Sequence, residues 1–335
     1  MTDKSLLEHF QGCIVGKCVG DALGFLVEGS PQDVCTDYVE SYILPLKVPP
    51  GNRGIFSFGQ YSDDSQLARE LMISLVDQHR FDPVNYALRI AHLFEFNEII
   101  GKGNATTNSA MRLINGIPWN ISGEPAPYAG NGSAMRVAPI GLFYWNQPDL
   151  IKKFSMQQSS ITHADDRCLA GSYIVALSVS YVLTHEEIDS GTMLDYLSLN
   201  VKPMNDLFAQ ELINLKNWLS LPFQDVVNHI ATSGKPEFPD PFWDKISPYV
   251  IPTVLISLYS FLMNKINFLD SIATAIKVGG DVDTTAAITG AISGAFLGVK
   301  SIPEIFSHSI NDQGKWGFLE LCSLAEQLYN QVNKK

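Results

Sequence analysis

Paired cysteines, basic charge and long apolar runs are all scarce in this sequence. The five cysteines (Cys13, Cys18, Cys35, Cys168 and Cys322) are odd in number and form no CxxC pair. That argues against a disulfide framework or a structural zinc site, and for a reducing compartment. Lys and Arg number 23 against 35 Asp and Glu, a net charge of −12. Such a chain repels phosphate backbones, so general nucleic-acid binding is disfavoured. The longest apolar runs, such as PTVLISLYSFLM from Pro252, fall short of a bilayer span. The start, MTDKSLLEHFQG, has no uninterrupted apolar core of the kind a secretory signal carries. Few Val/Ile/Thr runs alternate, and no Asn-Gly or Asp-Gly turn joins two of them. The zincin HExxH, the GxSxG elbow and the P-loop pattern are all missing. The expectation is a soluble, cytoplasmic monomer with no membrane partner.

What the chain does have is apolar mass at helical spacing. Hydrophobic residues make up 46% and charged residues 17%, enough to bury a large core. Leu67, Leu71, Met72 and Leu75 share one helix face after Ser62-Asp63-Asp64. Similar faces occur around 85–97, 167–184, 205–219, 247–264, 268–278 and 315–333. Loops are marked by VPPGNRG, NGIPWNISGEPAPYAGNG and SGKPEFPDPFWD. These patterns predict an all-α fold, a single multi-helix domain over 1–335. Gly12, Gly16, Gly20 and Gly24 recur every four residues, as do Gly290, Gly294 and Gly298. Residues four apart lie along one helix face, and each interior glycine costs a helix about 1 kcal/mol. Two such ridges predict that two helix backbones meet, bringing Asp21 and Glu28 toward Asp281 and Asp283.

The acidic residues form two clusters, each opening an apolar helix-like segment: Ser62, Asp63, Asp64 and Ser65, and Asp281, Asp283 and Thr284. Taken singly, either reads equally well as a helix cap with carboxylates at the positive end of the dipole. Taken together they hold more charge than capping needs, because adjacent carboxylates repel unless a cation or proton relieves them. All donor atoms are oxygen, which suits hard cations such as Mg²⁺, Mn²⁺ or Ca²⁺. A loop-to-helix junction lets Asp281 and Asp283 turn toward one place, so a binuclear magnesium-type site is expected. AGNGSAMRVAPIGLF, from Ala129, is a glycine-rich loop before an apolar segment. Its backbone N–H groups and the following helix N-terminus suit a diphosphate, with Arg136 offering either a charge or a buried partner for an aspartate. It reads otherwise as an ordinary turn. His163 is either a packed histidine or a contact to a phosphate or ribose oxygen. Metal clusters beside such a loop suggest a nucleotide-sugar ligand.

Five stretches in order, GCIVGKCVGDALGFLVEG, YSDDSQLARELM, GNGSAMRVAPIGLF, SITHADDRCLAG and GGDVDTTAAITGAISGAFLG, resemble the ADP-ribosylglycohydrolase family, related to dinitrogenase-reductase-activating glycohydrolase. They run from residue 12 to 298. The resemblance implies an all-α fold with two Mg²⁺ (or Mn²⁺) in a cleft, and removal of ADP-ribose from a modified protein or an ADP-ribose-containing small molecule. Carried over, the metal ligands are Ser62, Asp63, Asp64, Asp281, Asp283 and Thr284. Asp63, Asp64 and Glu28 are the catalytic carboxylates. Asn131, Gly132, Ser133, Ala134 and Met135 are the diphosphate loop, with His163 beside the ligand and Tyr128 or Phe143 against adenine. An arginine linkage is favoured, with serine-linked ADP-ribose and O-acetyl-ADP-ribose as alternatives. A non-catalytic ADP-ribose-binding homologue is the alternative of another class. A Mg²⁺-dependent phosphohydrolase or a DxD glycosyltransferase is the reading without the family. The chain departs from the family at Ser62 and Ser65, where threonines are usual, and at Val282, where a hydroxyl is usual. It also lacks the proline common after GDALG, where Phe25-Leu26-Val27 stands, and this bears on where Glu28 sits.

Overall fold

The glycine ridges mesh. In the computed structural model, which describes residues 3–234, 243 and 245–332, the first helix (Asp3–Phe25) lies against the helix Val282–Leu297. A Cβ on Gly12 would strike the carbonyl of Gly294, one on Gly16 that of Gly290, and one on Gly20 that of Ala286. A Cβ on Gly24 would come within 2.5 Å of the Asp283 Cα. Reciprocally, Gly290 and Gly294 face the carbonyls of Gly16 and Gly12. No side chain fits between these backbones, so the ridge fixes how deeply the second helix is seated. Gly298 ends the ridge: a Cβ on Gly12 would come within 2.7 Å of its carbonyl carbon, but no atom crowds its own missing Cβ. It closes its helix at φ 81, with nothing nearer than 3.7 Å to its missing Cβ, a positive φ that glycine accepts without strain.

Around this pair the described residues form sixteen α-helices. Every apolar face expected from the sequence is a helix: Asp63–Gln78, Pro83–Glu95, Asp166–Thr184, Asp206–Trp218, Val250–Met263, Phe268–Ile276 and Phe318–Val332. Several start where a side chain satisfies the first free N–H groups: Ser62, Asp82, Asp165, Asp189, Asn205 and Asn267 all accept from them. Asp166–Thr184 and Val250–Met263 pack on Val282–Leu297 as core helices. Asp166–Thr184 is, by length and composition, apolar enough to cross a bilayer, which the sequence reading did not pick out; 83% of its most apolar 18-residue window is buried within the protein. One hydrophobic cluster runs from Phe10 to Tyr329. The only sheet among the described residues is a hairpin that begins in the expected loop VPPGNRG and ends just beyond it, with Asn52 paired to Ser57 and Arg53 to Phe56. The loop expected at SGKPEFPDPFWD falls mostly outside the described residues.

Candidate active site

The mesh of the two ridges ends at the acids. Asp21, on the last turns of the first helix, reaches across to the start of Asp63–Gln78. One of its carboxylate oxygens accepts from Ser62 N (2.9 Å) and the other from Ser65 N (3.0 Å). Asp21 therefore caps a helix 41 residues away in sequence, and locks the turn that carries Asp63 and Asp64. Ser62 is the local cap, its hydroxyl 3.3 Å from Asp64 N and 3.2 Å from Asp64 Oδ2. Asp63 N donates to Ile100 O at 2.7 Å, tying the loop around Gly101 to the same turn. From the other cluster, Thr284 Oγ1 donates to Asp64 Oδ2 at 3.3 Å, so the two clusters touch.

Two sets of carboxylate oxygens lie within 4.8 Å of one another: Asp21, Asp64 and Asp283, and Glu28, Asp281 and Asp283. Asp283 belongs to both. Asp64 Oδ1 is buried without a hydrogen-bond partner, and the donor set is all oxygen. These residues fit hard divalent cations. Burial, then mutual repulsion, holds Asp63, Asp64 and Asp283 well above the ordinary carboxylate range. Asp281 is raised to about 6 by burial and by the Glu28 charge, against the lowering effect of its hydrogen bond from Asn131. Burial raises Asp21 as well, opposed chiefly by the charge of the buried Lys17.

Glu28 completes the second set although Phe25-Leu26-Val27 replaces the usual approach. A turn closed by Val27 N to Gly24 O, and Gly29 N bonded to Gly280 O, carry it there. Arg53, from the hairpin, pairs with its carboxylate and stacks over Phe25 at 4.5 Å. Val282 is fully buried in the hydrophobic cluster; its side chain belongs to the core, not to the cleft.

A cleft of about 680 Å³ opens above these acids, a size that suits a small-molecule ligand. Glu28, Asp63, Asp64, Asp281, Asp283 and Thr284 line one wall; Ser62 lies behind it. On the facing wall are Asn131, Gly132, Met135 and His163. Asn131 bridges the walls, donating to Asp281 and, at 3.0 Å, to Thr253 Oγ1. Ser133 and Ala134 point elsewhere. The Ser133 hydroxyl sits in a buried network 2.8 Å from Ser159 Oγ and 3.0 Å from Ser172 Oγ, and Ala134 is enclosed. The following helix, Ala138–Phe143, whose N-terminus was expected at the cleft, is buried along its whole length and contributes no residue to the cleft lining. Arg136 is also inside, bonded to Gln158 and Thr162 rather than to an aspartate or the cleft. Of the two aromatic candidates, Phe143 packs edge-on against Tyr144 in the core, whereas Tyr128 lines the cleft and is 62% exposed. Tyr249 and Trp243 line it too, and no pattern in the sequence marked them.

The sequence profile described as ADP-ribosylglycohydrolase matches residues 2–335. The chain belongs to the ADP-ribosylglycohydrolase family. That places it among hydrolases of ADP-ribosyl bonds. It is 29% identical to ADP-ribosylhydrolase ARH3 of Gallus gallus, over 96% of this chain and 92% of that one. It is 27% identical to the ADP-ribosylarginine hydrolase Tri1 of Pseudomonas putida, over 99% of this chain and 81% of that one. An uncharacterized protein of Archaeoglobus fulgidus is 30% identical over 96% of both. Among solved structures, an ADP-ribosylglycohydrolase-related protein complex superposes with a TM-score of 0.72 at 24% identity, covering 98% of this chain and 99% of its own, which speaks for the fold alone.

Proposed function

We propose that this protein hydrolyses the bond between the anomeric carbon of ADP-ribose and a modified side chain, with arginine the favoured acceptor, and that two Mg²⁺ or Mn²⁺ ions sit in its acid wall. The observation that carries the reading is Asp283. It is shared by two oxygen sets at the floor of a ligand-sized cleft. Asp64, Asp281 and Asp283 would hold the ions, with Asp63 and Thr284 beside them. When bound, the ions supply Lewis-acid polarisation of the ribose hydroxyls and of a water. Asn131 keeps Asp281 turned into the cleft. His163 and the backbone at Gly132 face the diphosphate side.

Glycoside cleavage passes through an oxocarbenium-like state. The water's hydroxyl goes to the anomeric carbon and its proton, in the end, to the departing nitrogen or oxygen. Arg53 pairs with the Glu28 carboxylate, which places Glu28 to accept a proton from water rather than to donate one to the leaving group. A guanidinium leaving group starts charged and asks less of an acid than a serine oxygen does. This ion pair, and the name that the Pseudomonas putida relative carries, both support the arginine linkage. Two peptides, one carrying ADP-ribosyl-arginine and one ADP-ribosyl-serine, are incubated with Mg²⁺ or EDTA and free ADP-ribose is measured. Mg²⁺-dependent release from the arginine peptide is expected. Release from the serine peptide alone would overturn the linkage, and saturable ADP-ribose binding without any release would favour the non-catalytic homologue.

A further inference from the structure

Behind the facing wall runs a short hydrogen-bonded chain that ends on the His163 ring. Arg136 is fully buried. Its Nε donates to Gln158 Oε1 at 3.0 Å, and its Nη2 donates to Gln158 O at 2.9 Å and to Thr162 Oγ1 at 2.7 Å. Thr162 is also fully buried, and its Oγ1 lies 2.8 Å from His163 Nδ1. A guanidinium only donates, so Thr162 Oγ1 must accept from it. That leaves the single hydroxyl proton of Thr162 to be placed. Among the described residues its only acceptor within hydrogen-bond distance is His163 Nδ1. Were Nδ1 protonated, Oγ1 would accept twice and its own proton would be buried without a partner, at the cost of a lost hydrogen bond.

We infer that Arg136 and Thr162 are positioning residues that fix His163 as the Nε2–H tautomer, so that the ring presents a neutral N–H donor to a ligand oxygen in the cleft. Geometry holds the ring to that task. Glu124 N donates to Thr162 O at 2.9 Å, Ala164 N to Glu124 O at 2.8 Å, and His163 N to Ser159 O at 2.7 Å, pinning the backbone on both sides. Nε2 faces the glycine loop: a Cβ on Gly132 would lie 3.2 Å from it, and one on Gly130 3.3 Å. Both glycines leave the ring room to reach the cleft, which His163 lines. Burial, and then the nearby Arg136 charge, lower the His163 pKa to about 3, so the ring stays neutral across the physiological range. A neutral donor suits a diphosphate or ribose oxygen and adds no positive charge beside the acid wall. Identifying that oxygen as one of ADP-ribose rests on the proposed function; the tautomer does not.

The test uses the full chain with ¹⁵N-labelled histidine. Long-range ¹H–¹⁵N NMR reads which ring nitrogen of His163 carries the proton, with His163→Gln used only for assignment. Wild type is expected to show a protonated Nε2 and a bare Nδ1. Thr162→Val, which keeps the shape and deletes the hydroxyl, should lose that preference and bind ADP-ribose about tenfold more weakly by calorimetry. Thr162→Ser should restore both. A merely structural threonine would lower stability without moving the tautomer. A wild-type spectrum with Nδ1 protonated, or an unchanged tautomer in Thr162→Val, would overturn the inference. If the tautomer behaves as expected but no variant, wild type included, binds ADP-ribose, the relay stands and the proposed function fails.

Discussion

The two walls of the cleft solve opposite problems. The acid wall gathers Asp21, Asp63, Asp64, Asp281, Asp283 and Glu28, and neither Lys17 inside nor Arg53 at the edge balances them. The glycine ridge seats Asp21 against Asp281 and Asp283, and hydrogen bonds from Ser62 N and Ser65 N to Asp21 draw Asp63 and Asp64 in beside them. The facing wall is tied into a hydrogen-bonded scaffold: Ser133, Ser159, Ser172, Gln158, Arg136 and Thr162 bond to one another out of reach of water, with only Arg136 Nη1 left without a hydrogen-bond partner. The acid wall thus crowds carboxylates that could hold a metal ion and leaves Asp64 Oδ1 without a partner, whereas the facing wall is held largely by hydrogen bonds among its own side chains.

The sharpest way to break this contrast is Asp283→Ala. It removes the carboxylate common to both oxygen sets, and turnover should fall by about 10³-fold or more. Metal-free stability should rise, since one buried repelling charge is gone, and the thermal gain from Mg²⁺ should vanish. A melting curve with and without Mg²⁺ checks both signs. The facing wall should answer in the opposite direction. Gln158→Leu strips Arg136 and the Ser133 carbonyl of partners, and urea unfolding should show a loss of about 3 kcal/mol, with or without metal.

The walls should also part company with pH. Asp281 is raised to about 6, and burial raises Asp63, Asp64 and Asp283 well above the ordinary carboxylate range. A raised folded pKa gives stability that is present below the unfolded value, 3.8, and lost as pH climbs through the folded one. The metal-free protein should therefore weaken from about pH 4 to beyond pH 6, and the stabilisation by Mg²⁺ should grow over the same window. His163 runs the other way. Its folded value, about 3, lies below the unfolded 6.5, so its contribution holds above pH 6.5 and fades as pH falls toward 3. Thermal melts from pH 4 to pH 8, with EDTA and with Mg²⁺, separate the two. The smallest effect belongs to Arg53→Ala. The Arg53–Glu28 pair is partly exposed and worth little as a contact, so kcat/KM should fall by about fivefold at most.

The acid wall was legible in the sequence because its constraints leave a mark on residue type. Backbone contact demands glycine every fourth residue, and a site that could hold a hard cation gathers carboxylates, here at helix starts. Gly12, Gly16, Gly20, Gly24, Gly290 and Gly294 sit where that logic put them, and the Ser62–Asp64 and Asp281–Thr284 clusters meet. The facing wall was less legible because its logic lies in which way a side chain turns. Nothing local distinguishes Ser133, facing inward, from Met135, facing the cleft, or Phe143, in the core, from Tyr128, at the mouth. Asp21 capping a distant helix, and Arg136 serving Thr162, depend on contacts that no short pattern records. Helices such as Pro148–Ser160 and Ser190–Val201 went unmarked, since their apolar stripes are interrupted by serine, glutamine and lysine.

The most direct test of the central claim is a count of ions. Equilibrium dialysis of the wild-type chain against Mn²⁺, followed by metal analysis and repeated with Asp283→Ala, reads the acid wall without reference to substrate. Two saturable ions per chain in wild type, both weakened or lost in the variant, is the expected result. Wild-type protein that takes up no ion, or a variant that holds as many as wild type, would contradict the account.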